Sequence, residues 1–184
     1  MNPAPNLVFV GPMGAGKTSV GRRVAQHLGL EFVDTDQLLE ARTGASVPLI
    51  FELEGEPGFR QRERALVAEL CAREGLAIAT GGGAVLDPAN REVVRARGFV
   101  VHLHVSVDEQ LRRLARDRHR PLLQTPDRQE RLLVLARQRQ ALYEEVADLR
   151  FEGGQRSVAQ SARRLLSLIQ DHWHPGPTDK ETAT

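Results

Sequence analysis

The run Gly11 to Thr18, GPMGAGKT, satisfies the pattern GxxxxGK[ST]; an apolar segment, Leu7 to Val10, precedes it and a helical pattern containing Val20 and Val24 follows. In that setting backbone N–H groups fold around phosphate oxygens, glycines at 11, 14 and 16 permit the close approach, and the helix amino terminus adds its dipole. The cradle comprises Gly14, Ala15, Gly16, Lys17, Thr18 and Ser19. Lys17 would bridge the β- and γ-phosphates, and Thr18 would place its hydroxyl on magnesium. A nucleoside triphosphate is the expected ligand, and this motif alone leaves open what is done with its phosphate.

Phosphoryl transfer needs one carboxylate near the metal and another near the attacking hydroxyl. FVDTDQLLE offers Asp34 and Asp36 at the end of a second apolar segment, on one side of the chain if the strand continues through Thr35. Thr35 or Asp36 could instead cap the helix that follows. Two arginines stand where a cation is costly. Arg60 lies near a helix start after Pro57, where the dipole disfavours it by about 0.3–1 kcal/mol. Arg139 falls on the apolar stripe of a helix from Gln129 to Glu145, beside Leu132, Leu135 and Tyr143. Arg60 could pair with Glu56 and Glu63 or hold a substrate carboxylate or phosphate; Arg139 could snorkel, pair with an internal acid or meet the substrate. LAIATGGGAV runs a third apolar segment into Gly81, Gly82 and Gly83, more glycine than a turn requires, so a ligand is expected close to that backbone. No aspartate ends this segment, which leaves the acidic metal contact to Asp34 and disfavours a motor or switch. Among the arginines of Val107 to Leu123, Arg120, directly before Pro121, is best placed to close over the γ-phosphate.

The elements that must hold these residues alternate. Apolar strand-like runs at Leu7 to Val10, Glu31 to Asp34, Leu76 to Thr80, Phe99 to Val105 and Leu149 to Glu152 are separated by helical patterns. That order implies an α/β fold with a mainly parallel sheet and ligands at the strands' carboxyl ends. The 184 residues suit one domain, read as 1–172. Residues 35–73 form a helical excursion from the sheet, 116–129 a mobile flap, and 173–184 a flexible tail. With 25 Lys plus Arg against 24 Asp plus Glu and a net charge of +1, the chain lacks the electrostatic footprint of a nonspecific nucleic-acid or membrane binder. Its single cysteine, Cys71, and an amino terminus with no basic region before a short apolar run fit a cytoplasmic protein.

In this order and spacing, GPMGAGKTSVG, DTD, FRQRE, TGGGAV, RPLL and LARQRQALYEEVA resemble the shikimate kinases of the aromatic amino acid pathway, over roughly Leu7 to Leu168. The resemblance implies a three-layer P-loop kinase fold with a five-stranded parallel sheet, a substrate-binding helical region and a lid. It also implies a monomer that transfers the γ-phosphoryl of ATP to the 3-hydroxyl of shikimate with Mg2+. Carried over motif by motif, Asp36 holds the shikimate hydroxyls and is the candidate base, while Asp34 supports magnesium. Arg60 and Arg139 clamp the carboxylate with Gly82 beside them, Arg120 reaches the phosphates from the lid, and Arg113 and Arg156 border adenine. Lys17, Asp36 and Arg120 are then the catalytic groups. Thr18 and Ala15 stand where the family commonly has serine, and neither removes a needed group. The competing readings are a related kinase of gluconate or of a nucleoside monophosphate, and a nucleotide-binding protein without catalysis.

Overall fold

The structure is a computed structural model that describes residues 3–115 and 127–175. Arg120, residues 116–126 of the expected lid, and the tail from residue 176 lie outside the described residues.

Five strands, β1 (Asn6–Val10), β2 (Glu31–Asp34), β3 (Leu76–Ala79), β4 (Gly98–His104) and β5 (Leu149–Glu152), form one parallel sheet in the order β2-β3-β1-β4-β5. β1 and β3 are buried along their whole length, as strands covered on both faces must be, and their near-continuous apolar runs follow from that. Helices cover the two faces. Leu7 and Phe9 of β1 pack with Val20 and Val24 of α1 (Lys17–Leu28) and with Leu165 and Ile169 of α7 (Val158–His172). Val8 and Val10 point the other way, into a core shared with α2 (Thr35–Thr43), α3 (Val47–Ala72), α4 (Pro88–Arg97) and α6 (Arg128–Val146). A short helix, α5 (Val107–Leu114), joins α6 in a third cluster beneath Met13 of the glycine loop.

Two features of this fold aim the site. β1 is the centre strand, and the chain passes from it to β2 on one side and from β3 to β4 on the other, so the crevice at its carboxyl end is the switch point where ligands of such sheets sit. α3 is broken at Gly55 (φ 71, ψ 178), which lets a second helical segment begin around Pro57 and turns Arg60 and Glu63 toward β3. The helix start expected near Pro57 is therefore present, with Gly55, two residues before it, taking the conformation that a side chain would resist.

The packed region extends past residue 172. Trp173, assigned to the tail from sequence, is 4% exposed, stacks on Phe99 and donates its indole N–H to the Ala4 carbonyl at 2.9 Å. A tail composition of proline and polar residues hides this because the single large apolar side chain is what docks.

Candidate active site

The glycine loop after β1 carries left-handed backbone at Gly14 (φ 76) and Gly16 (φ 93), and Gly16 stands as the N-cap of α1, where it offers no side chain to the first-turn N–H groups. Those N–H groups and the helix dipole face the crevice. Lys17 Nζ donates to the carbonyls of Gly11 (2.7 Å) and Pro12 (2.9 Å), which curls it over its own loop. Buried Gln110 of α5 donates to the Met13 carbonyl at 2.8 Å and braces the loop from below.

Asp34 and Asp36 part company. β2 stops at Asp34 and α2 starts at Thr35, so the two acids do not share a side as an extended strand would require. Asp34, and neither Thr35 nor Asp36, caps α2: its Oδ1 accepts from the N–H of Asp36 (3.1 Å) and of Gln37 (3.2 Å). Its Oδ2 accepts from the Thr18 hydroxyl at 2.6 Å, which brings the two oxygen groups assigned to magnesium together at the foot of the phosphate loop. Thr35 is fully buried and its hydroxyl accepts from Gly81 N–H at 3.0 Å, locking the end of β2 to the start of the triple glycine.

Each of the three glycines faces a different group, and space is the reason for two of them, Gly81 and Gly83, while at Gly82 a Cβ would meet only ordinary van der Waals contacts. A Cβ on Gly81 would stand 2.5 Å from Glu63 Oε1 and 3.0 Å from Asp36 Oδ1. One on Gly82 would face the Met13 amide at 3.5 Å and Arg139 Nη1 at 3.8 Å, and one on Gly83 would fall within the Arg60 guanidinium, 2.6 Å from Cζ. The close approach expected there from sequence is made by the chain's own charged side chains. Asp36, Glu63, Arg60 and Arg139 thus surround one strand end, directly across from the glycine loop.

The electrostatics of this group are unequal. Arg60 donates to Glu63 at 2.6 Å and to Glu56 at 3.0 Å, the helical pairs open to it in sequence. Burial pulls its guanidinium down, but the carboxylates of Glu63 and Glu56 outweigh this and the net shift is upward. Glu63 is fully buried; burial raises its carboxyl above the ordinary range, with the Asp36 charge adding to the rise, against the lowering by Arg60 and Arg139. Arg139 is 4% exposed, so it does not snorkel, and its Nε has no hydrogen-bond partner among the described residues. Burial first, and then repulsion from Arg60, lower its pKa, while Tyr143 and Glu56 oppose the shift. A buried guanidinium that meets no carboxylate at ion-pair distance among the described residues is prepared for an arriving one.

Beside the glycine loop opens a cleft of about 360 Å³, lined by Gly14, Arg112, Arg113, Phe151, Arg156 and Ser157 among others. Arg113 is part of its wall: it donates to Glu109 Oε1 (2.6 Å) and to the carbonyls of Gly14 and Gly154 (both 2.9 Å), tying the phosphate loop to the loop after β5. Arg112 pairs with Glu109 at the more exposed rim, and Arg156 donates to the Gly153 carbonyl at 3.2 Å. The size suits a nucleobase and ribose.

The sequence matches the family model described as Shikimate kinase over residues 13–170. The chain belongs to the shikimate kinase family. A shikimate kinase of Xanthomonas oryzae is 54% identical over 173 residues, covering 94% of this chain and 96% of its own. The structure of the Acinetobacter baumannii shikimate kinase, described as in complex with shikimate, superposes with a TM-score of 0.88 at 48% identity over 91% of this chain and 94% of that one. A gluconokinase from Sinorhizobium meliloti covers 92% of this chain and 94% of its own with a TM-score of 0.58 at 19% identity, which shows the shared P-loop kinase fold alone. Membership in the family makes the chain an ATP-dependent phosphotransferase with an alcohol acceptor. Three side chains at the shikimate kinase site gave little signal in sequence. Glu63 appeared there only as a neighbour of Arg60, Thr35 only as a possible cap and Tyr143 only as part of an apolar stripe.

Proposed function

We propose that this chain transfers the γ-phosphoryl group of ATP to the 3-hydroxyl of shikimate, with Asp36, Arg60 and Arg139 holding the acid and the loop from Gly14 to Ser19 holding the triphosphate. One observation carries the reading. The triple glycine gathers two guanidinium groups and two carboxylates, Glu63 already paired with Arg60 and Asp36 beside it, around a single strand end facing the phosphate loop, the complement of a hydroxylated ring acid next to a triphosphate.

The Thr18 hydroxyl and Asp34 carboxylate are hard oxygen donors and suit Mg2+, which keeps most of its shell as water and phosphate oxygen. When bound, the ion neutralises charge on the transferring phosphate. This chain's own groups supply the rest. Phosphate is a stronger partner for Lys17 than the loop carbonyls it now meets, so the ammonium swings to the β- and γ-oxygens. Arg60 and Arg139 fix the substrate carboxylate and so direct the ring, an orientation effect that turns the encounter of hydroxyl and phosphorus into a near-unimolecular step. Asp36 accepts the hydroxyl hydrogen bond and the proton released as the O–P bond forms and the bond to the ADP leaving oxygen breaks. Arg120, outside the described residues, is the group assigned to the phosphates, and Arg113 and Arg156 are those assigned to adenine in the cleft beside Gly14. The same reading makes the protein a cytoplasmic monomer that serves two small molecules, with no nucleic acid and no membrane as partner. The balanced net charge supports this; among the described residues no helix is long and apolar enough to cross a membrane.

A coupled ADP-release assay offering shikimate, gluconate and AMP tests the substrate. Turnover of shikimate far above the other two is expected, and turnover of gluconate without shikimate would remove the proposal.

A further inference from the structure

Tyr143 is among the largest side chains that are fully buried, and the mechanism above does not use it. It lies one helical turn after Arg139 on α6, so the two side chains share a face. Its hydroxyl donates to the Gly82 carbonyl at 2.5 Å, and Arg139 Nη1 stands 3.8 Å from where a Cβ on the same glycine would lie, so phenol and guanidinium meet at one residue. A phenol has one proton to give and lone pairs with which to accept. With the proton committed to Gly82, the oxygen has only acceptor capacity left to offer the guanidinium beside it. Burial pushes the phenol up to about 12, so it remains a donor at any working pH. Behind it the ring stacks on His102, with centroids 5.1 Å apart and planes at 28°, and among the described residues neither imidazole nitrogen has a hydrogen-bond partner. His102 therefore serves as a flat support.

We propose that Tyr143 is a positioning residue for the acid-binding arginine: its hydroxyl ties Arg139 to the Gly82 carbonyl and holds the guanidinium against the end of β3 before substrate arrives. The inference rests on the reading of Arg139 as a carboxylate ligand. Its physical content is pre-organisation. Arg139 has a long rotamer-rich stem and an Nε without a partner among the described residues, and a side chain already fixed in its bound geometry loses less freedom on binding.

Tyr143→Phe removes the hydroxyl and keeps the ring on His102. The KM for shikimate should rise about tenfold while the KM for ATP stays within twofold, since one hydrogen bond to a charged group is lost and the phosphate loop is untouched. Two further measurements separate positioning from general damage. On an Arg139→Gln background, Tyr143→Phe should add little more, whereas independent roles would add in full. Toward a shikimate analogue with CH2OH in place of the carboxylate, wild type and Tyr143→Phe should work within twofold of each other.

Tyr143 is the only tyrosine in the chain, so protein made with 3-fluorotyrosine gives one 19F resonance without altering the fold by mutation. That resonance should move on adding shikimate, and the movement should vanish in Arg139→Gln. An unchanged shikimate KM, equal rises for both substrates, full additivity with Arg139→Gln or a resonance indifferent to shikimate would overturn the proposal. If wild type itself failed to turn over shikimate, the substrate reading would fall and this inference with it; the wild-type rate in the same assay distinguishes that case.

Discussion

Moving the protein from pH 7 to pH 5 charges histidines in the unfolded chain, and His102 makes that costly for the native state. The residue is fully buried on β4, between the ring of Tyr143 and the edge-on ring of His104. Burial, followed by the charges of His104, Arg150 and Lys17, holds its imidazole down to about 4 against the opposing pull of Glu144. In the unfolded chain an ordinary histidine takes its proton near 6.5. Between these values the unfolded state binds more protons than the folded one, so this contribution is complete above about 6.5 and drains away as pH falls toward about 4. Integrating the linkage from pH 7 to pH 5 gives a loss of about 2 kcal/mol, a large share of the roughly 5–15 kcal/mol that holds a typical domain. Urea unfolding at pH 7 and pH 5 measures it, with His102→Phe as the comparison, because phenylalanine keeps a flat ring against Tyr143 and cannot titrate. The variant should lose about 2 kcal/mol less than wild type over this interval. His104, also pushed down by burial, is present in both proteins and leaves the difference unchanged to first order. Equal losses in the two proteins would refute the reasoning.

Gly83→Ala tests the spatial account of the triple glycine: the new methyl group displaces the tip of Arg60, a flexible side chain, so melting should shift by only a few degrees. The KM for shikimate should nevertheless rise at least about tenfold with ATP affinity unchanged, as titration calorimetry with ADP and steady-state kinetics would show. Trp173→Ala should destabilise the fold by about 3–5 kcal/mol, read by chemical unfolding, because a buried indole and its bond to the Ala4 carbonyl are lost together. Turnover at 20 °C should be unaffected, since Trp173 packs at the amino-terminal start of β4, the opposite end of the sheet from the site.

The parts carried by contiguous residues are legible in the sequence. GPMGAGKT between an apolar strand and a helix, five apolar runs in the right places, and a kinase order of motifs declare the fold, the triphosphate loop and the family, because backbone conformation and strand burial are local in their causes. Helix periodicity likewise shows that Arg139 lies on the apolar face. Where a strand ends is a weaker local signal. β2 stops one residue earlier than side-sharing aspartates would require, so Asp34 becomes a cap and a partner of Thr18 while Asp36 turns toward Gly81. Whether Arg60 answers to Glu56, to Glu63 or to a ligand also depends on what the fold brings beside it.

By itself, then, the chain determines a parallel P-loop kinase with costly arginines seeking anions. Only the tertiary structure decides that Arg60 and Arg139 converge on adjacent glycines, that Glu63 is sealed between them and Asp36, and that the Tyr143 hydroxyl reaches the Gly82 carbonyl 61 residues away. Periodicity tells which face a residue occupies; it carries no information about which distant backbone that face will meet, and desolvation and pairing are set by that meeting.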